Sequence, residues 1–434
     1  MRKLLSRLHD RLGDFWWYSL MIFVACRAAD LTNAFVGLWL VPKYIPPSEL
    51  GAVMPLTNFA SFLSLPMAAF ASTFRNEISG LAIRREFGKL KTLMRGVFIA
   101  SAAFLFLAIV FSRFVLPHFL ARIRIVEGSL GMLILACSFV GSISPVYSNA
   151  MQALKKFRAT SFINLLGAPI RLVTMLVAIP FRPLAGYFVG QISTPVFAIG
   201  ASVVAMRKEL TVRAEPYWTR DVVRRFGKLF LIFAVSGVAG GLAGLVESTV
   251  LRERLPEVDS AAYYMVTRFS DIASYLYCTL AFTIFPYTAD LAANGKSTRP
   301  LVAKTAAAVL AFSGALAVVF ALFGKPLLSL LPYGSEYADF WWAIPWMIGI
   351  HTVGAISSIY LTAETSANRF GYMIWAVPLN LLYAAALQST PAASIGSLQT
   401  MLCWMSGIAL LRLVGCIIDM SVRGGRTKQC QRLS

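Results

Sequence analysis

Charged residues lie inside two long apolar stretches of this chain. Arg27 and Asp30 fall near the middle of the stretch 15–41, and Arg268 and Asp271 repeat the same three-residue spacing in 261–289. Residues three apart share one face of a helix, so each arginine can pair with its aspartate. A charge without a partner at the centre of a bilayer costs at least about 2.5 kcal/mol. We therefore expect these side chains to face protein, water or a transported substrate instead of lipid.

The chemistry open to these arginines is the binding of a phosphate. A guanidinium binds phosphate through a planar fork and stays charged when desolvated, so a lipid diphosphate is a suitable ligand. For Arg27 and Asp30 a second interpretation stays open, an internal ion pair that packs the first helix into a bundle. Arg171 follows Pro169, and two roles stay open for it: binding the phosphate, or binding the backbone carbonyls that this proline leaves without a donor. Arg412 can extend from its span to the cytoplasmic interface.

Few other residues point to chemistry. His351 lies mid-span and is a candidate for titration in a proton-coupled cycle, or else a structural hydrogen-bonding residue. The other two histidines, His9 and His118, stand far from it in the sequence. The chain has no metal-ligand spacing, no glycine-rich phosphate loop and no acid pair in a large loop. These observations predict a protein that is not an enzyme and that holds neither a metal nor a cofactor.

The elements that position these residues are membrane spans. Of the 434 residues, 58% are hydrophobic and 14% are charged, with a mean hydropathy of +0.68, whereas a soluble domain has about 25% charged residues. The composition predicts an all-α, multi-pass membrane protein. Apolar runs of about 20 residues predict twelve spans: 15–41, 51–73, 96–117, 129–151, 160–181, 183–205, 228–251, 261–289, 301–324, 339–362, 371–388 and 397–419.

The basic residues predict the orientation of the spans. Most of the 40 lysines and arginines fall in segments on one side, with clusters in 75–95 and 207–228, which indicates cytoplasmic N- and C-termini. In 75–95 apolar residues alternate with the basic ones, as in an interfacial helix that contacts membrane lipids, or else an ordinary charged connector. The net charge of +20 is spread between spans instead of gathered on one face, which argues against nucleic acid as a partner.

The chain divides into two similar halves. The longest polar stretch, 206–227, separates a predicted lobe 1–205 from a second lobe 228–420, which a cytoplasmic tail 421–434 follows. Matching positions recur in the two halves: Pro46 and Pro256, Gly51 and Ala261, Ser144 and Ser357, and Tyr147 and Tyr360. Because each predicted half has six spans, the halves share one orientation and are related by an axis along the membrane normal.

These features resemble a known transporter superfamily. Twelve spans in two parallel halves, the polar centre of span 1, the loop PPSELG at 46–51 and the exit of span 4 through QALKKFR at 152–158 are similar to the multidrug/oligosaccharidyl-lipid/polysaccharide (MOP) exporter superfamily. The chain most resembles its polysaccharide flippases of the Wzx (O-antigen) type. The resemblance implies a MATE-like fold in the bacterial inner membrane and alternating-access flipping of an undecaprenyl-diphosphate-linked oligosaccharide from the inner to the outer leaflet.

The resemblance also implies positions for binding residues. The lipid II branch would place Arg27 and Arg268 at a cationic portal between helices 1 and 8. Glu247 and Asn380 would join a sodium site, although the further acidic ligand expected on span 11 is absent. The ion whose movement drives transport would then be H⁺, which His351 would bind and release, or Na⁺.

Two other functions stay open. A MATE-like cation-coupled small-molecule exporter would use an acidic residue in span 1, which Asp30 matches, but the adjacent Arg27 disfavours cationic drugs. An integral-membrane glycan polymerase or ligase would need a larger polar external loop than 117–128, 252–260 or 325–338 provides.

Overall fold

The protein is helical throughout the described residues. The computed structural model describes residues 24–433 except 126–127, 155, 295, 368 and 392–393. Its long helices are α1 (Val24–Tyr44), α2 (Val53–Ile83), α3 (Phe87–Arg122), α4 (Ser129–Ala153), α5 (Phe157–Ala178), α6 (Pro183–Ala205), α7 (Arg220–Arg254), α8 (Glu257–Ala293), α9 (Arg299–Ser329), α10 (Ala343–Ser366), α11 (Met373–Ser389) and α12 (Leu398–Leu433).

Ten helices of the described part are long and apolar enough to cross a membrane, which confirms a multi-pass membrane protein. The other two long helices are α8 and α11. Helix α8 has 37 residues and carries most of its charged side chains in its first half, and α11 has 17 residues, about 26 Å at 1.5 Å per residue. The number of twelve spans and the cytoplasmic termini therefore stay predictions. Residues 15–23 of the first predicted span lie outside the described residues.

The chain forms two compact units. The N-terminal unit comprises Met1–Ile45 and Pro55–Gly241, and the C-terminal unit comprises Pro46–Met54 and Leu242–Ser434. The division at Gly241 and Leu242 falls inside α7, and a nine-residue segment after α1 belongs to the C-terminal unit. The lobes 1–205 and 228–420, the linker 206–227 and the tail 421–434 stay a prediction about how the chain is organised.

In the N-terminal unit α6 packs against α4 and α5, and α3 packs against α4. The stretch predicted as a polar linker also packs on this unit. The hydroxyl of Thr92 in α3 donates to the carbonyl oxygen of Glu215 at 2.6 Å, and Tyr217 is buried in the same cluster as Phe74 and Leu90. The aromatic residues of the stretch therefore anchor it to α3 and to the core.

In the C-terminal unit α10 packs against α8, α9 and α12. The short helix Pro47–Leu50 packs on α8 with no space for a side chain at Gly51, where a Cβ would lie 2.1 Å from Ser260 Oγ. The buried guanidinium of Arg252 holds this segment through a hydrogen bond from Nη2 to Ser48 O at 2.5 Å. Steric fit and this hydrogen bond explain why the segment after α1 belongs to the C-terminal unit.

Candidate functional site

Helix α1 carries the first polar cluster, in the N-terminal unit. Arg27 Nη2 lies 2.9 Å from Asp30 Oδ2, and about a quarter of each side chain is exposed. The three-residue spacing therefore forms the ion pair predicted from the sequence. One turn further along, Val36–Leu40 is a π-helical turn, a distortion that recurs at functional sites.

Arg171 of α5 joins this cluster through a residue that the sequence analysis missed. Its Nη1 donates to Asn33 Oδ1 at 2.6 Å, and Asn33 stands three residues after Asp30 on α1. The signal in the sequence was this repeated spacing of polar residues. We call Arg27, Asp30, Asn33 and Arg171 the α1–α5 cluster; their formal charges sum to one positive charge.

Arg268 lies in a second polar cluster, in the C-terminal unit. Its Nη1 lies 2.9 Å from Asp271 Oδ2, and its guanidinium lies over the ring of Tyr264, 5.0 Å from the centroid. Its Nη2 lies 2.9 Å from Met54 Sδ. A carboxylate, an aromatic face and a polarisable sulfur thus surround the cation, and each of them favours a positive charge.

His351 of α10 extends this cluster. Its Nδ1 lies 3.1 Å from Ser270 Oγ, and the Ser270 hydroxyl donates to Thr267 O at 2.8 Å. A hydroxyl has one hydrogen, so while Ser270 donates it to Thr267, the serine oxygen accepts from His351 Nδ1. In that tautomer Nε2 is the ring atom that can take up a proton.

A third group, also in the C-terminal unit, surrounds Glu247 of α7. Tyr383 of α11 donates its hydroxyl to Glu247 Oε2 at 2.7 Å, and Tyr263 of α8 donates to Oε1 at 3.4 Å. Arg412 of α12 donates to Asn380 Oδ1 and acts on the Glu247 carboxylate through its charge. We call these five residues the Glu247 network.

The network brings together the two residues of the predicted sodium site with partners that the sequence did not indicate. Glu247 and Asn380 lie in it, but the cation nearest to the amide is the guanidinium of Arg412. Arg412, for which extension to the cytoplasmic interface was one interpretation, donates to Asn380 of α11. Tyr383 stands three residues after Asn380, and this helical spacing was the one signal for it. Among the described residues, no group of three His, Cys, Asp or Glu side chains is placed to hold a metal ion.

No known protein-family profile and no curated protein sequence matches the chain. Three similar solved structures are of transporters, one of them a lipid II flippase. A multidrug resistance MATE family transporter of the MOP superfamily is similar in its inward-facing conformation, with a TM-score of 0.62 and 12% identity over 95% of this chain and 96% of that chain. An outward-facing conformation of a multidrug resistance MATE family transporter of the MOP superfamily is similar with a TM-score of 0.63 and 13% identity, over 95% of this chain and 96% of that chain.

The lipid II flippase MurJ, in its inward closed conformation, is similar with a TM-score of 0.60 and 13% identity, over 93% of this chain and 87% of that chain. At such identities the likeness concerns the fold. The chain therefore has the helical fold seen in MOP-superfamily transporters, as the resemblance in the sequence implied.

Proposed function

We propose that the protein is a flippase that moves an oligosaccharide linked to a polyprenyl diphosphate from the inner to the outer leaflet of the bacterial inner membrane. The observation that carries the proposal is the α1–α5 cluster. The Arg27–Asp30 ion pair and the hydrogen bond from Arg171 to Asn33 lie there within apolar helices, on positions of α1 three residues apart. A buried positive charge is costly in a membrane. An anionic head group is therefore the cargo that this cluster would bind with the most favourable free energy.

In this proposal Arg27 and Arg171 bind the diphosphate, while Asp30 orients Arg27 and limits how tightly the anion is held. Arg268 with Asp271 provides a further contact in the C-terminal unit. Glu247, His351 and Asn380 are proposed to couple translocation to H⁺ or Na⁺. For His351 the acceptor atom Nε2 would take up the proton.

The second candidate is a cation-coupled small-molecule exporter. Asp30 in α1 and the carboxylate of Glu247 favour it, because acidic residues within spans attract cations. The formal charge of the α1–α5 cluster opposes a cationic cargo. A glycan polymerase or ligase is the third candidate, and no constellation described above supplies its chemistry.

The test uses the purified protein in vesicles of phosphatidylethanolamine and phosphatidylglycerol. A fluorescent polyprenyl-diphosphate oligosaccharide is placed in both leaflets, and the fraction accessible to a membrane-impermeant quencher is followed. Protein-dependent exchange between leaflets supports the flippase. Transport of a cationic dye without lipid exchange would support the exporter, and lengthening of the glycan, seen by mass spectrometry, would support the polymerase.

A further inference from the structure

Helices α11 and α12 enclose an apolar groove in the C-terminal unit. The groove has a volume of about 540 Å³, within the range of about 300–1,000 Å³ that is typical of ligand pockets. Its walls include Leu379 and Leu382 on α11 and Cys403, Gly407 and Leu411 on α12. Two thirds of Leu382 and over half of Leu411 are exposed, so the groove opens onto the outer surface of the two helices.

The groove is narrow at one end because of how the helices pack. At Gly415 of α12 a Cβ would lie 2.6 Å from the ring of Trp375, so the two helices are in close contact there. At Gly407, eight residues earlier and about 12 Å along the helix, a Cβ would meet nothing within 4 Å. Gly407 lines the groove together with residues of α11, so its missing side chain leaves space between the two helices.

Two hydroxyl groups beside the groove are already engaged. The hydroxyl of Tyr383, which forms part of its floor, donates to Glu247. The hydroxyl of Thr400 lies 3.1 Å from Ser397 Oγ. What remains for an occupant is mainly hydrocarbon surface, which suits an alkyl chain; the other polar groups of the lining are the indole of Trp404 and the thiol of Cys403.

We propose that this groove binds one acyl chain of a bilayer phospholipid. Helix α12 is long and apolar enough to cross the membrane, and the medium around a spanning helix is lipid hydrocarbon. An unfilled gap would forfeit the dispersion contacts of its lining, and water gains nothing in an apolar gap. The bound chain packs against Tyr383, whose hydroxyl binds Glu247, so the lipid helps to hold the Glu247 network in place.

Photolabelling with a lipid tests the proposal. The full-length protein is reconstituted in phosphatidylethanolamine and phosphatidylglycerol vesicles that contain a phosphatidylglycerol with a diazirine in one acyl chain. After illumination the labelled peptides are mapped by mass spectrometry. We expect labelling of 379–386 and 400–411 to exceed severalfold that of the exposed surface of α9 around Gly314.

Two glycine variants provide the matched pair. Gly407→Phe fills the groove with a side chain that has no polar atom, and labelling of its walls should fall severalfold. Gly314→Phe places the same side chain on α9, where a Cβ would also meet nothing within 4 Å, and labelling of the groove should stay unchanged. Gly407→Leu, a smaller change, should give an intermediate loss, and each variant is checked for folding by size exclusion.

Three outcomes would overturn the proposal. Uniform labelling of all lipid-facing helices would show that the groove holds no particular chain. Undiminished labelling in folded Gly407→Phe would place the label elsewhere. Loss of labelling on addition of a polyprenyl phosphate at low mole fraction would assign the groove to an isoprenoid chain. The assay reports lipid binding alone, so its result is independent of which cargo the protein transports.

Discussion

Replacement of Arg171 by Met tests whether the α1–α5 cluster binds cargo or only joins two helices. The variant removes the donor to Asn33 Oδ1, a hydrogen bond of 2.6 Å between α1 and α5. A buried acceptor left without its donor costs about 1–3 kcal/mol of stability. Since Asn33 is half-buried, we expect a loss in the lower half of that range.

A double variant separates the two roles. Replacing Asn33 by Leu in the Arg171→Met background removes the acceptor as well, and losing both partners can be nearly neutral for stability. Thermal unfolding should therefore return towards the wild-type temperature. Transport should not return, because the lost charge-assisted contact to a phosphate is worth about 1.5–3 kcal/mol, roughly a 10- to 150-fold loss of apparent affinity.

The assay is exchange of the labelled lipid-linked oligosaccharide between leaflets, measured against lipid concentration, with unfolding followed in parallel. Arg171→Lys serves as the control because it keeps the charge but loses the planar fork, so transport should be intermediate. Wild-type exchange by the folded double variant would refute the binding role and leave Arg171 as a link between helices.

Three further predictions use the same preparations or whole cells. Folded Arg27→Met/Asp30→Leu should elute normally in size exclusion yet fail to flip the labelled lipid; wild-type flipping would assign this pair to packing, since a buried ion pair is often no better than apolar residues of similar volume. Arg412→Met should lower the free energy of unfolding by about 1–3 kcal/mol, because it removes the donor to Asn380 Oδ1 and the positive charge that acts on the Glu247 carboxylate; adding Glu247→Gln should restore part of the loss, and an unchanged unfolding temperature in the single variant would contradict the network. Topology reporters fused after residues 90, 215 and 425 should report the cytoplasm and those after 46, 125 and 255 the outside; an external signal at 215 would contradict the parallel halves.

Local spacing made part of the site predictable from the sequence. The pairs Arg27–Asp30 and Arg268–Asp271 follow from helix geometry alone, because residues three apart lie on one face. Apolar runs likewise located the long helices, including α8, where the predicted span 261–289 lies inside Glu257–Ala293. The packing of Tyr217, in the predicted linker 206–227, against the core of the N-terminal unit was not predicted from the sequence.

The contacts between helices could not be predicted in this way. Asn33 and Arg171 lie 138 residues apart in the chain, and Glu247 and Tyr383 lie 136 apart. Such pairs depend on how each helix is rotated about its axis and on how far it is shifted along its neighbour. A span that is apolar on every side has no hydrophobic periodicity from which its rotation or its shift could be predicted. A single sequence therefore identifies the polar residues but not their partners.

The charges of the polar clusters differ between the two units in a way that bears on function. In the C-terminal unit, Arg268 pairs with Asp271 and the charge of Arg412 acts on Glu247, so these four residues sum to zero. The α1–α5 cluster instead has two guanidinium groups and one carboxylate. Keeping that excess charge within apolar helices costs at least about 2.5 kcal/mol unless something compensates it. In the proposed function an anion that enters and leaves would recover this cost only while it is bound, so we expect the N-terminal cluster to contribute more to cargo binding than the charge-balanced pair Arg268–Asp271.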